Sequence, residues 1–198
     1  YADGREDFGE ILEANVEQIL KEIDRLTEIA RAFSRYGAPA ESAGPLEAVD
    51  LAPVVREALT LYRVGEASVH YWPELPADLP RVRARTGELK EVLLNLLENA
   101  YTALEGKGTV VIGAACKDGH VELTVRDDGP GIPPELLNRI FEPHFSTRSS
   151  GTGLGLAIVR RLVEDWGGTV TAESELGRGT TIRVRLVVAE EPTYASGS

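Results

Sequence analysis

Leu12, Val16, Ile19, Ile23, Leu26, Ala30 and Phe33 recur in alternating steps of four and three, a heptad seam that predicts one long helix over residues 6–36. Glu10, Glu13, Glu17, Lys21, Glu22, Asp24, Arg25 and Glu28 fill its other faces, the pattern of a helix that packs along one stripe and is wet elsewhere. A seam this narrow and this sustained favours a partner helix, in a two-helix hairpin or a dimeric bundle, over packing on the chain's own domain. Residues 37–45, Gly-Ala-Pro-Ala-Glu-Ser-Ala-Gly-Pro, are turn formers that break the helix, so residues 38–49 read as a linker and a second unit is expected over residues 50–189.

In that unit Asp50 is placed to cap a helix running to Tyr62, with Leu51, Val54, Val55, Ala58, Leu59 and Tyr62 as its apolar stripe. Short extended segments follow over 68–72 and 81–85, then a strongly periodic helix over 86–104 with Leu89, Val92, Leu93, Leu96, Leu97 and Ala100 facing the core. Residues 109–116 and 120–126 read as strands joined by the tight turn Lys117-Asp118-Gly119. A long glycine-bearing loop leads into a helix over 155–166 that Gly167-Gly168 stops, and strands over 170–174 and 181–188 close the unit. The fold class expected is α/β (α+β), a two-layer sandwich of a mixed sheet on about three helices, preceded by the long coiled-coil-like helix. Residues 190–198 read as a disordered tail or an expression remnant.

Composition narrows the function classes. With 198 residues, 42% hydrophobic and 27% charged, the chain can bury one sizeable core plus an extension. Its formal net charge of −11 argues against sequence-independent nucleic-acid binding and against contact with an anionic membrane, both of which rest on basic patches. A phosphate site here has to be built locally. The single cysteine, Cys116, excludes an internal disulfide framework, suits a reducing compartment and is expected to pack within a strand. No apolar stretch reaches the roughly 20 residues a membrane-spanning helix needs, and no secretory signal opens the chain, which points to the cytoplasm. The chain starts at Tyr1 and holds no methionine, so we expect a piece of a longer protein, with an upstream membrane anchor left open.

The chemistry concentrates in two glycine clusters, Asp127-Asp128-Gly129-Pro130-Gly131 and Gly151-Thr152-Gly153-Leu154-Gly155, with Asn95 and Asn99 upstream. Clustered glycines let backbone N–H groups approach a polyanion, and a glycine string entering a helix aims the helix's positive end at phosphate. Asn95 and Asn99 share one helical face, where amide oxygens can meet a hard cation such as Mg²⁺. The spacing fits neither the dinucleotide fingerprint nor a P-loop. The ordered set is more specific: the asparagine helix, a strand ending in Asp127-x-Gly129-x-Gly131, then Phe141 and Phe145, then Gly151 to Leu156, then Gly177-x-Gly179-Thr180.

Residues 86–188 so ordered resemble the catalytic ATP-binding domain of sensor histidine kinases of two-component systems, in the superfamily shared with gyrase, a heat-shock chaperone and a mismatch-repair ATPase. The resemblance implies that Asp127 accepts a hydrogen bond from the exocyclic amine of adenine, that Gly129 and Gly131 let base and ribose lie close, and that Thr180 supports the aspartate. A strand threonine near a turn is nearly as good a reading of Thr180, and Asp128 reads as merely solvated. Asn99 matches the Mg²⁺ ligand, with Asn95 beside the same phosphates. Hydrolytic superfamily members carry a water-activating glutamate at the position of Asn95; an amide cannot act as a general base, which points to transfer. Residues 132–152 resemble the mobile lid, which Phe141 and Phe145 pin or simply pack into the core. Arg148, with Arg139 as substitute, is the candidate to neutralise the β or γ phosphate, while Gly151, Thr152, Gly153, Leu154 and Gly155 present peptide groups to the triphosphate. Many relatives carry a basic residue three positions after the metal asparagine; here that position is Thr102.

A histidine kinase phosphorylates a histidine on the first helix of a dimeric hairpin, and that histidine is missing: His70, His120 and His144 lie on a strand, a hairpin strand and the lid. Residues 1–37, ending Phe33-Ser34-Arg35-Tyr36-Gly37, resemble instead the second hairpin helix of kinases of the nitrogen-regulation type. The implied function is to bind Mg·ATP and donate the γ-phosphoryl to a histidine on a helix upstream or in trans, for relay to a response-regulator receiver domain, in a homodimer and without nucleic acid or membrane contact by this segment. Two alternatives stand beside it. One is a serine or threonine kinase of the anti-sigma type, and the other a non-enzymatic dimerisation module with a vestigial nucleotide site.

Overall fold

The computed structural model describes residues 12, 15, 16, 18, 19, 44–62, 68–146 and 152–190. Of the long heptad helix, Leu12, Asn15, Val16, Gln18 and Ile19 are helical, and Leu12, Val16 and Ile19 stand exposed. The rest of that helix, like residues 191–198, lies outside the described residues.

In chain order the elements are β1 (Glu47–Val49), α1 (Leu51–Tyr62), β2 (Ser68–Glu74), β3 (Val82–Ala84), α2 (Thr86–Ala103), β4 (Lys107–Lys117), β5 (His120–Asp127), α3 (Pro134–Leu137), α4 (Gly155–Asp165), β6 (Thr169–Glu175) and β7 (Gly179–Val187). Each major element forms for the reason its pattern gave. Asp50 caps α1 by accepting a 3.0 Å bond from the Ala52 N–H, and Leu51, Val54, Val55, Ala58 and Leu59 are buried. The six apolar positions of α2 expected to face the core all do so. Asp118 (φ 50°) and Gly119 (φ 73°) both adopt the left-handed region that a two-residue hairpin needs, and this fixes the β4–β5 register. At the end of α4, Gly167 (φ 79°) donates to Glu164 O and Gly168 to Val163 O, a double bond pattern that satisfies the last carbonyls.

Among the described residues the main sheet runs β2-β4-β5-β7-β6, with β2 parallel to β4 and every other pair antiparallel. One face of it packs the helices: Val110, Ile112, Val121, Leu123, Val125, Val184 and Leu186 are buried there with the apolar stripes of α2 and α4. The opposite face is polar, where Arg183 pairs with Glu173 at 2.8 Å and with Glu122 at 3.4 Å. A sheet with one dry face and one wet face needs a single helical layer, and this is the α/β sandwich expected.

Three features differ from the sequence reading. Glu47–Val49, inside the stretch read as linker, pairs antiparallel with Val82–Ala84; three residues are too few to show an alternation. The lid contains a short helix, Pro134–Leu137, also below the length at which periodicity can speak, although Pro134 at its first turn is a start signal. Cys116 is exposed, not packed, because it lies at the end of β4 next to the hairpin turn. Near the start of the unit, Arg85 donates to Gly44 O and, at 2.9 Å, to Glu88 Oε2, which also accepts the indole N–H of the fully buried Trp166 at 2.9 Å. That network ties the incoming chain to the start of α2 and the end of α4.

Candidate functional site

One end of the sheet carries a row of side chains set by register. Val110 faces Asp127, Asp127 faces Thr180, and Thr180 faces Ser174, so Asp127, Thr180 and Ser174 lie side by side across β5, β7 and β6. Among the described residues, Asp127 (7% exposed) and Thr180 (8%) are the buried polar positions, and burial of polar groups at a sheet end signals a purpose. Asp127 Oδ1 accepts from Gly129 N at 3.0 Å and from Thr180 N at 3.2 Å. Burial pushes its carboxyl above the usual range; the two N–H donors pull the other way without cancelling it, and neighbouring Asp128 adds to the rise.

The glycines beside this row are placed by packing of one turn on another. Gly131 (φ 74°) sits so that a Cβ would meet Glu175 O at 2.2 Å, and Gly177 N donates to Pro130 O at 2.8 Å. The 129–131 loop and the β6–β7 turn are therefore clasped together. A Cβ at Gly129 would stand 2.9 Å from Asp127 Oδ1 and 3.5 Å from Ala103 Cβ, so this loop passes close by both the aspartate and the end of α2. Asp128, expected as merely solvated, accepts the Thr109 N–H at 2.7 Å and anchors the start of β4.

The second half of the site lies along α2. Asn95 Nδ2 donates to Glu91 O at 2.9 Å and Asn99 Nδ2 to Asn95 O at 2.8 Å. Each amide nitrogen thus puts one of its two N–H groups on the preceding turn, and Oδ1 is the acceptor each side chain offers. The start of α4 lies against them: a Cβ at Gly155 would come within 3.0 Å of Asn95 Oδ1. A neutral amide oxygen of Asn95 beside a helix N-terminus, with the Asn99 amide one turn further on, suits a hard cation whose charge is balanced by a bound polyanion, so the residues present fit Mg²⁺ accompanied by phosphate. Thr102 Oγ1 donates to Glu98 O at 2.7 Å and brings no charge.

The lid segment is described through Ser146 and again from Thr152; Arg148 and Gly151, two of the candidate site residues, lie outside the described residues. Phe141 and Phe145 pack partly buried against the core. Arg139 stands 4.4 Å over the Phe145 ring and pairs with Glu142 at 3.2 Å, so the substitute phosphate cation is already engaged. Gly153 (φ 65°) is pressed on the His144–Phe145 backbone, 2.6 Å from a would-be Cβ to His144 C, which packs the residue just past the lid against residues 144–145 within it. Leu154 is buried through its side chain, and its N–H reaches Thr152 Oγ1 at 3.4 Å.

This geometry unites a buried carboxylate at the sheet end, a pair of side-chain amides and a glycine-started helix. Residues 85–190, more than half of the sequence, match the family described as histidine kinase-, DNA gyrase B-, and HSP90-like ATPase. The chain belongs to this family. It is 38% identical over 171 residues to the sensor histidine kinase ZraS of Klebsiella oxytoca, covering 85% of this chain and 37% of that protein. It is 32% identical over 203 residues to the nitrogen regulation protein NtrY of Azorhizobium caulinodans, covering 97% of this chain and 25% of the relative. Among solved structures, histidine kinase ThkA in complex with response regulator protein TrrA is similar with a TM-score of 0.76 and 26% identity, over 90% of this chain and 52% of that one. The chain thus spans about a third of ZraS and a quarter of NtrY. It is similar to the kinase end of this ATPase family, as its ordered motifs implied.

Ser174, like Ala103, is a residue of the site that sequence reading passed over. A lone serine between two glutamates carries no motif, and its place beside Thr180 follows from a strand register that one sequence does not display.

Proposed function

We propose that this chain is the ATP-binding catalytic unit of a sensor histidine kinase, donating the γ-phosphoryl of Mg·ATP to a histidine that the chain itself does not carry in an acceptor motif. The observation that supports it most is the closeness of Gly155 to the Asn95–Asn99 face while Asp127 lies buried at the adjoining sheet end. In this reading Asp127 accepts from the adenine amine, Ala103 and Gly129 leave room for the ring, and Asn99, with Asn95 beside it, offers amide oxygens to Mg²⁺. Mg·ATP supplies the transferable phosphoryl and part of the neutralising charge. Thr152, Gly153, Leu154 and Gly155 present peptide groups and the α4 start to the phosphates, with Gly151 and Arg148 as further candidates from the lid. Asn95 has no basic atom with which to activate water, so the site holds and aligns without promoting hydrolysis.

The acceptor is a histidine on a hairpin helix upstream or in trans, the onward partner is a response-regulator receiver domain, a reading supported by the similar ThkA in complex with response regulator protein TrrA, and the exposed seam residues Leu12, Val16 and Ile19 suit a homodimeric bundle. No helix among the described residues is long and apolar enough to cross a membrane, and cytoplasmic placement of this unit is part of the proposal. Calorimetric titration with a non-hydrolysable ATP analogue and Mg²⁺ tests the first half. Adenine-selective binding that Asp127→Asn abolishes supports it, and equal affinity of the two proteins sinks it. Incubation with ATP and a histidine-bearing hairpin tests the second half, which requires an acid-labile phosphate on the hairpin.

A further inference from the structure

Ser174 Oγ has three hydrogen-bond partners: Ile132 N at 2.8 Å, Gly179 O at 2.9 Å and Thr180 Oγ1 at 2.9 Å. A hydroxyl owns one proton and two lone pairs, which decides how these three contacts are made. The Ile132 N–H only donates and the Gly179 carbonyl only accepts. The Ser174 proton therefore goes to Gly179 O, and the third contact is satisfied only when Thr180 gives its own proton to Ser174. Thr180 is then left with lone pairs and no proton to direct elsewhere. Next to it in the row, the Asp127 carboxylate is likewise an acceptor, with Oδ1 already taking the Gly129 and Thr180 N–H groups.

From this proton bookkeeping we infer that Ser174 is a positioning residue for base specificity: by holding Thr180 as an acceptor, it makes the sheet end receptive to a ring bearing an amino group and unreceptive to one bearing a carbonyl at the same edge. The inference rests on the nucleotide reading proposed above. A purine whose amine sits at the 6-position, as in adenine, has hydrogens to offer the row there, directly or through a water. A purine with an oxygen there meets lone pairs with lone pairs and leaves a buried acceptor unsatisfied, the kind of mismatch by which sites reject near-isosteres. Without the Ser174 hydroxyl, Thr180 is free to rotate its proton toward that oxygen. Ser174 also holds Ile132, the first residue of the lid segment, so the lid root and the base row share one hydroxyl.

The test is calorimetric titration of this chain with non-hydrolysable ATP and GTP analogues plus Mg²⁺, for wild type, Ser174→Ala, Ser174→Thr, Ser174→Cys, Thr180→Val and the Ser174→Ala/Thr180→Val pair. We expect Ser174→Ala to cut the ATP-over-GTP preference by about three- to tenfold, the worth of one hydrogen bond, chiefly through tighter GTP-analogue binding. Ser174→Thr, which keeps a hydroxyl, restores the preference. In the Thr180→Val background, Ser174→Ala leaves the ratio unmoved, because no hydroxyl remains to turn. Equal weakening of both analogues by Ser174→Ala overturns the inference, as does a ratio change that persists in the Thr180→Val background. Should Ser174→Ala fail to fold, an unchanged ratio in Ser174→Cys, whose thiol hydrogen-bonds weakly, overturns it instead. Wild type binding neither analogue removes the nucleotide reading itself, a result distinct from wild-type preference that Ser174→Ala does not disturb.

Discussion

Asn95 Oδ1 stands where a side chain on Gly155 would project, 3.0 Å from the position a Cβ would take, with Asn99 Nδ2 at 3.5 Å. Two segments some sixty positions apart in the sequence thus share one small volume, and glycine is what lets helix α4 begin there. The consequence is that anion-attracting peptide groups and the cation-attracting Asn95 amide oxygen face the same point, an arrangement suited to a metal-bound polyphosphate.

Gly155→Ala separates fold from function at this contact. Alanine is the better helix former by about 1 kcal/mol, and its backbone here has ordinary helical geometry, so thermal stability is expected to hold or rise. The methyl makes the Asn95 amide give way by a few tenths of an ångström, and affinity for the ATP analogue is expected to fall about tenfold. A melting curve and a titration on the same preparation check this; unchanged affinity would show that Asn95 does not touch the ligand.

Asp127→Asn keeps an oxygen for the Gly129 and Thr180 N–H groups but replaces an acceptor with a donor, so ATP-analogue binding is expected to vanish. Stability is expected to move the other way. Burial raises the native carboxyl above its unfolded value, so between those two values the folded chain binds more protons than the unfolded one. Wild-type stability therefore falls as pH rises through the window above the ordinary carboxylate range, and Asp127→Asn flattens that part of the curve. Denaturant melts of both proteins between about pH 4 and 7 read the difference. The same raised value makes nucleotide affinity drop on acidification sooner than an ordinary aspartate would.

Asn99→Ala removes an amide oxygen that this reading assigns to the metal. Binding is expected to weaken about tenfold or more with Mg²⁺ and far less in EDTA, since a lost ligand matters only when the cation is there. Identical losses in both conditions would take Asn99 out of the metal site.

How much of this was legible in the chain depends on the range of the interaction concerned. The stripes of α1, α2 and α4 and the Asp118-Gly119 turn are local patterns, and each produced the element expected. The approximate positions of Asp127 and the asparagine pair followed from ordered spacing. What stayed hidden depends on contacts between distant segments: the pairing of Glu47–Val49 with Val82–Ala84, the clasp of Gly131 on Glu175, the anchoring of Thr109 by Asp128, and the place of Ser174 beside Thr180. Cys116 failed for a related reason, since alternation along β4 does not say where the helical cover over the sheet ends.

Gly177 and Gly179 allow backbone strain to be told apart from steric exclusion within one turn. Both adopt positive φ, 75° and 100°, yet a Cβ on Gly177 would meet nothing within 4 Å, whereas one on Gly179 would lie 1.9 Å from Asp127 O. Gly177→Ala is expected to cost about 1 kcal/mol of conformational strain, a melting shift of roughly 2–4 °C, with nucleotide affinity preserved. Gly179→Ala must push β7 away from the end of β5, costing about 3 kcal/mol or more. That movement would also disturb the Thr180 N–H bond to Asp127 and the carbonyl that takes the Ser174 proton. Binding should therefore fail in Gly179→Ala even at temperatures where the chain stays folded. Comparable melting shifts for the two variants would mean that the β5–β7 contact yields, and that the row of Asp127, Thr180 and Ser174 is held less rigidly than its hydrogen bonds imply.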